Sequence, residues 1–311
     1  MAAFIFPAKH SSAQNEAPDT VKVGIYIVSI HDIDFKQKEF TVNFWIWLKY
    51  KNRDFRFNDY LEVPQAKTVN KSFFTVDSSG EKVEMMMKLQ CTMKDSWRIS
   101  NFPFDRQSLR ISIENSQYDS ASLVFIADTL GDHFDKRFTL RGWQIDSCII
   151  STGFRTYETG FGDESLAKPQ TRYAVFRTRL SIMRDAGGIF WKMFLGMYIA
   201  FLIAYICFFI HTDGIDSRFG LSVGALFAVV GNKYIIDSSL PESSSFTLVD
   251  TLHGITLFCI FAVIASTAYS LWLVKQNKPQ KAHRFDRTMA IALLLFYLGA
   301  NIWFISEASG T

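Results

Sequence analysis

The sequence predicts a protein of mixed class: an antiparallel, immunoglobulin-like β-sandwich outside the cytoplasm, followed by a transmembrane bundle of four helices. Three observations carry that expectation. From Val21 to about Met183, apolar residues recur at every second position. From Ile189 onward they merge into long runs. Between the last two runs lies one short segment crowded with Lys and Arg. A mean hydropathy of +0.09 conceals this division, and 311 residues are enough for two domains.

Residues 1–20 read as a leader or flexible segment. The apolar piece Ala2–Phe6 is too short for a signal peptide and lacks its basic lead. Residues 21–184 read as the outer β domain. Val21, Val23, Ile25 and Ile27 alternate with polar or small neighbours, as do Phe40, Val42, Phe44, Ile46 and Leu48. Leu109, Ile111 and Ile113 repeat the pattern, followed by Ala174, Phe176, Thr178 and Leu180. Successive side chains of a strand point to opposite faces, so this period marks strands buried on one face. Turn residues such as Asp77–Gly80 separate the runs, and no helical period intervenes, which favours a sandwich.

Residues 185–311 read as the membrane domain, with helices at about 189–210, 218–237, 248–274 and 286–306. Runs of about 20 apolar residues match a hydrocarbon layer of roughly 30 Å. The segment 275–287 contains Lys275, Lys278, Lys281, Arg284 and Arg287 and is expected to be a short cytoplasmic loop. The loop Asp237–Ser245 has Asp237 and Glu242 and no base. Three spans precede the basic segment, which puts the β domain outside.

Several function classes are disfavoured. A net charge of +3 without a basic, aromatic-lined stripe in the first half argues against nucleic acid. Cys91, Cys148, Cys207 and Cys259 include no close-set pair for zinc, and no metal or cofactor is expected. Whether Cys91 and Cys148 pair is open. The chain has no phosphate loop, zinc His pair or Gly-x-Ser-x-Gly, so no enzymatic activity is expected, and a membrane-anchored enzyme is a remote alternative.

The second span is polar and rich in glycine. Gly220 and Gly224 have the spacing of a close-packing motif. Alternatively, the helix faces a water path. Asp216, Gly220, Gly224, Phe227, Gly231 and Tyr234 share one helical stripe, which in an oligomer would make an acidic ring and a hydrophobic constriction. A competing stripe, Arg218, Ser222, Ala225, Val229 and Asn232, would place a base at the mouth and favour anions. Periodicity leaves the two near even.

The stretch Asn101–Leu109, reading Asn-Phe-Pro-Phe-Asp-Arg-Gln-Ser-Leu, resembles the signature loop of the pentameric ligand-gated ion channel (Cys-loop receptor) superfamily, particularly its bacterial members. Tyr50-x-Asn52-x-x-Phe55-x-Phe57 resembles the end of that family's second strand, with Tyr50, Asn52 and Asp54 replacing its usual Trp, Asp and Arg. The Gly142-Trp143 pair, Arg184 and Leu240-Pro241 stand where the family has related residues, and the similarity runs from about 21 to 306. Asp95 and Leu109 occupy the positions of the two signature cysteines, as in members without that disulfide. Gly196 replaces a usual Pro, and Glu62 replaces an aromatic of the agonist box.

The resemblance implies a ligand-gated channel subunit, expected to form a homopentamer of identical subunits among membrane lipids and to pass inorganic cations. It implies a bacterial plasma-membrane location and leaves the agonist unidentified. A non-conducting receptor-like scaffold is the alternative. Registering the second helix on Leu240-Pro241 favours the stripe of Asp216 and Phe227. The resemblance pairs Asp105 with Arg184, sets Pro103 and Phe104 against the Leu240-Pro241 turn, and adds Asp32 and Asp34 to this coupling cluster. Trp45, Trp47, Glu62, Tyr157, Phe161 and Tyr173 are candidates for an agonist site suited to a cation. His31, His133 and Glu62 could instead sense protons, and His253 is expected to be a packed residue.

Overall fold

The computed structural model describes residues 17–164, 166–211 and 214–310. Residues 1–16, most of the expected leader, lie outside the described residues. Strand β1 (Asp19–Asp34) pairs antiparallel with β2 (Glu39–Tyr50), placing Val23 opposite Leu48, Ile25 opposite Ile46 and Ile27 opposite Phe44. All six side chains are fully buried, as their alternation requires. A short helix α1 (Phe57–Tyr60) and a two-residue strand β3 (Leu61–Glu62) lead into β4 (Ala66–Asp77) and β5 (Val83–Lys94). Then come β6 (Arg106–Asn115), β7 (Leu123–Ala127), β8 (Trp143–Tyr157) and β9 (Thr171–Arg184).

The strands form two sheets, in the orders β4-β5-β2-β1-β7 and β3-β6-β9-β8. Their inner faces share one core that includes Phe40, Phe44, Phe57 and Phe176. The expected purely antiparallel sandwich needs one correction. Strand β7 runs parallel to β1, with Asp19 opposite Leu123 and Val23 opposite Ala127. Alternation reports which side chains are buried and says nothing of the direction of the neighbouring strand. Cys91 and Cys148 are free thiols, and burial pushes Cys91 up to about 12 and raises Cys148.

Four helices follow: α2 (Ala186–Ile206, continued by a 3-10 turn at Cys207–Phe209), α3 (Ile215–Ser239), α4 (Leu248–Lys275) and α5 (Pro279–Gly310). All four are long and apolar enough to cross a membrane. They leave large apolar side chains such as Trp191, Phe258, Ile302 and Trp303 exposed, as expected of surfaces that meet lipid or another subunit. Helix α4 opens with a capping box: Asp250 N donates to Thr247 Oγ1 at 3.3 Å and Thr247 N donates to Asp250 Oδ2 at 2.9 Å.

The segment expected as a basic loop over 275–287 is mostly helical. Helix α5 begins at Pro279, a residue suited to the first helical position, so Lys281, Arg284 and Arg287 ride on its first turns. Hydropathy locates the apolar part of a helix and misses polar turns that extend it.

Phe44 is wholly enclosed between the sheets, so Phe44→Ala should cost about 3–5 kcal/mol of outer-domain stability. Denaturant unfolding followed by tryptophan fluorescence measures it.

Candidate functional site at the domain junction and the second membrane helix

The loop between β5 and β6 joins the two domains. At its base Arg110 forms a two-pronged ion pair with Asp95, whose side chain is 3% exposed. Gln107 braces the loop from within: its Nε2 donates to Arg98 O at 2.7 Å and its Oε1 accepts from Arg98 N at 3.1 Å. At the tip, Leu248 N donates to Ser100 O at 2.8 Å, tying the loop to the start of α4. Ile99 and Phe102 are buried in the same apolar cluster as Phe190, Phe194, Val249 and Leu252.

The expected coupling residues divide. Phe104 packs its ring 5.5 Å from Phe190 of α2, and Leu240 borders the same cluster. Pro103 and Pro241 are buried. The deepest contacts with the helices come from Ile99 and Phe102, which sequence reasoning did not single out. Their signal was faint, because two apolar residues in a proline-containing loop carry no period.

Asp32 and Asp34 do not bring their carboxylates to this cluster. Asp32 is exposed and lies 3.5 Å from His31. Asp34 Oδ1 accepts from Gln37 N at 2.8 Å within its own hairpin. The hairpin reaches the junction through its backbone and Phe35. Trp97 Nε1 donates to Asp34 O at 3.2 Å, and the Phe35 ring stacks 5.0 Å from Trp97 and 5.8 Å from Trp143.

Arg184, the last residue of β9, meets Asp105 at two points, with Nε 2.6 Å from Oδ1 and Nη2 3.2 Å from Oδ2. The side chains are 10% and 1% exposed. Gln107 Nε2 adds a donor to Asp105 Oδ2 at 2.6 Å. The guanidinium carbon lies 4.5 Å from the ring centre of Phe35, 4.8 Å from Phe102 and 4.1 Å from Trp143. Arg184 is therefore held by one carboxylate and three aromatic faces.

On α3 the two competing stripes have different surroundings. Arg218, Ser222, Ala225 and Val229 are buried in the bundle. Arg218 Nη2 donates to Asp286 Oδ2 of α5 at 3.0 Å, both side chains being 3% exposed, and Arg218 Nε donates to Ile210 O at 3.0 Å. Asn232 Nδ2 donates to Met193 O at 3.2 Å, and its Oδ1 lies 3.0 Å from His253 Nε2. His253 is fully buried and also contacts Val249 O at 2.8 Å, so it is packed and hydrogen-bonded.

The other stripe faces outward. Asp216, Gly220, Gly224 and Gly231 are exposed, as are Phe227 at 68% and Tyr234 at 75%. A Cβ on Gly220, Gly224 or Gly231 would meet nothing within 4 Å. These glycines serve no close packing within one protomer.

The expected agonist residues fall into two groups. Tyr157, Phe161 and Tyr173 form an edge-to-face triangle with ring centres 5.5, 5.9 and 6.2 Å apart. Tyr157 Oη donates to Glu114 Oε2 at 2.8 Å, Arg155 Nη1 lies 2.5 Å from Glu114 Oε1, and Glu62 is paired with Glu114 across β3 and β6. Burial raises the Glu114 carboxyl above its ordinary range, and the charge of Glu62 adds to this against Tyr157 and Arg155. Burial also raises the Tyr157 and Tyr173 hydroxyls.

Trp45 and Trp47 do not join them. They belong to β2, in the other sheet. Trp45 packs edge-on to Phe73 at 5.4 Å, while Trp47 Nε1 donates to Asp128 Oδ2 at 3.0 Å. The Trp47 ring covers Gly24, where a Cβ would stand 2.2 Å from it. The six residues therefore form no single box within a protomer. His31 and His133 are likewise apart from Glu62: His31 sits by Asp32 in the first hairpin, and His133 O accepts from Ile27 N at 2.9 Å. Among the described residues no His, Cys, Asp and Glu group could hold a metal ion.

Removing Asp105 alone leaves a buried guanidinium without its carboxylate. Asp105→Ala should cost about 3–5 kcal/mol, and replacing both partners by apolar residues (Asp105→Leu with Arg184→Met) should restore most of it. Thermal and denaturant unfolding of the purified protein check both values.

No family model matches the chain. Curated proteins do. A proton-gated ion channel of Gloeobacter violaceus is 21% identical over 307 residues, covering 92% of this chain and 82% of its own length. The gamma-aminobutyric acid receptor subunit gamma-4 of Gallus gallus is 20% identical over 286 residues, covering 84% of this chain and 61% of its own. The pH-sensitive chloride channel 2 of Drosophila melanogaster is 19% identical over 300 residues, covering 87% and 57%. The chain thus spans most of the first relative and about 60% of the other two. It is a multi-pass membrane protein with an extracellular N-terminal domain. With the sandwich, the four spans and the junction loop in this order, the chain is similar along most of its length to members of the pentameric ligand-gated ion channel (Cys-loop receptor) superfamily.

Proposed function

We propose that this chain is the subunit of a homopentameric, cation-conducting channel of the bacterial plasma membrane, opened by a ligand or protons acting on the outer domain. The observation that carries the cation preference is the contrast between Asp216 and Arg218. Asp216 is exposed on the outward face of α3 and makes no ion pair among the described residues. Arg218 is buried and neutralised by Asp286. Copies of α3 around a symmetry axis would present a ring of carboxylates and a ring of Phe227, and acidic rings favour cations while apolar rings close by dewetting. The relatives include a chloride channel, so the chemistry of these two residues supports the choice of ion more than kinship does.

Assembly is supported by apolar surface that one protomer leaves uncovered. Strand β4, at the sheet edge, exposes Val69, Phe73, Phe74 and Val76, a surface suited to another subunit. Coupling would run through the Asp105–Arg184 pair and the Ser100–Leu248 hydrogen bond, which link both sheets to α2 and α4.

Replacing Asp216 by Ala should lower cation preference, seen as a shift of reversal potential toward zero in bilayers under a KCl gradient. An unshifted potential would remove Asp216 from the ion path. Protons are the favoured stimulus because two of the three relatives described are named for protons or pH and because Glu114 keeps its proton to a higher pH than an ordinary carboxyl. As pH falls, Glu114 is neutralised ahead of ordinary carboxylates and its hold on Arg155 weakens. The pair Glu114–Arg155 is intact at high pH and lost as pH drops through the raised value. Glu114→Gln fixes the neutral form, and the pH dependence of current should flatten. A titration curve identical to wild type rules out Glu114 as the sensor.

A further inference from the structure

The outer face of the four-stranded sheet carries a cluster of arginines of which the channel reading uses only Arg155. Arg110 of β6 stands directly opposite Arg179 of β9. Like charges directly opposite on one sheet face repel each other. In the next row, Arg177 lies between Ser112 of β6 and Ser151 of β8. Beyond it, Arg155 Nη2 donates to Ser112 Oγ at 3.3 Å. Together these six residues line an open pocket of about 290 Å3, at the small end of the range for small-molecule sites.

The charges in this pocket are unbalanced in a particular way. Asp95 takes Arg110 at one end and Glu114 takes Arg155 at the other. Arg177 and Arg179, between them, make no ion pair among the described residues. Arg177 is nonetheless held in place. Its Nη2 donates to Phe154 O at 2.8 Å, and its guanidinium lies against Gly153, where a Cβ would come within 2.9 Å of Nη1. A fixed fork, a second unpaired arginine two residues along and two serine hydroxyls form a preorganised acceptor for negative charge.

We propose that this pocket binds a small oxyanion, the carboxylate or phosphate group of a small molecule, through the guanidinium groups of Arg177 and Arg179. Arginine forks match both groups in planar, two-point fashion. A bound anion would relieve the repulsion between Arg110 and Arg179 and tie together three of the sheet's four strands. Arg177 and Arg179 belong neither to the Tyr157–Phe161–Tyr173 triangle nor to the Asp105–Arg184 pair, and a binding test does not depend on conduction.

The experiment is a thermal-shift titration of the detergent-purified, assembled protein with sodium phosphate and with sodium succinate, against sodium chloride at matched ionic strength to cancel screening. The expected result is a saturable rise in Tm with at least one of the two anions beyond that with chloride. The one that acts better tells phosphate from carboxylate. Arg179→Gln should weaken the apparent affinity about tenfold or more, the loss of a charge-assisted bond, while Lys82→Gln in the distant β4-β5 hairpin should leave it unchanged. Ser151→Asp supplies an internal carboxylate. It should raise the anion-free Tm and abolish the response, and it carries the test should Arg179→Gln fail to assemble. No response beyond chloride in wild type, or equal responses in wild type and in whichever pocket variants assemble, overturns the site.

Discussion

The buried pair Asp105–Arg184 is the interaction on which the two-domain arrangement depends. A guanidinium 10% exposed and a carboxylate 1% exposed cannot be left unpaired without a large desolvation cost. Their backbones are also joined, since Arg184 N donates to Asp105 O at 3.2 Å. Asp105 ends the loop that plunges Ile99 and Phe102 into the helices, and Arg184 ends the last strand before α2. The pair thus fastens the junction loop to the exit of the outer domain at one point. Phe35, Phe102 and Trp143 enclose the cation from three sides, which ties the first hairpin and β8 to the same point. Where the family signature has cysteines, Asp95 and Leu109 stand, and the Asp95–Arg110 ion pair closes the loop base without a covalent bond.

A second buried ion pair orients the pore-candidate helix. Arg218 reaches Asp286 of α5 and Ile210 O, while Ser222 Oγ donates to Arg218 O at 2.9 Å. At the other end, Asn232 joins Met193 O and His253. Polar anchors at both ends fix the rotation of α3, since an unsatisfied polar group would be costly among apolar helices. Rotation of α3 is what leaves Asp216, Phe227 and the glycines facing out of the bundle.

The outer domain distributes its chemistry over separate faces. The aromatic triangle lies at the far end of β8 and β9, Trp45 and Trp47 lie on the other sheet, and the arginine pocket lies midway along β9. Ligand recognition that used both aromatic groups would need two protomers, which is consistent with the proposed assembly.

Much of the fold was legible because periodicity is a local property. A period of two marked β1, β2, β6 and β9, and unbroken apolar runs marked the four spans, since both patterns record burial residue by residue. Cap chemistry and helix ends were less visible, as Pro279 and the basic turns of α5 demonstrate. Asp105 and Arg184 could be paired by resemblance, and Asp216 and Phe227 could be placed on one stripe. Which stripe of α3 turns inward, by contrast, depends on Asp286, 68 residues away from Arg218, and no local period contains that partner. The parallel pairing of β7, the separation of the tryptophans from the tyrosine triangle and the meeting of four arginines on one face have the same cause. Each depends on which strands become neighbours. Sequence alone determined which faces are buried and how many times the chain can cross a membrane; contacts between distant segments decided which charges are neutralised and which remain free to act.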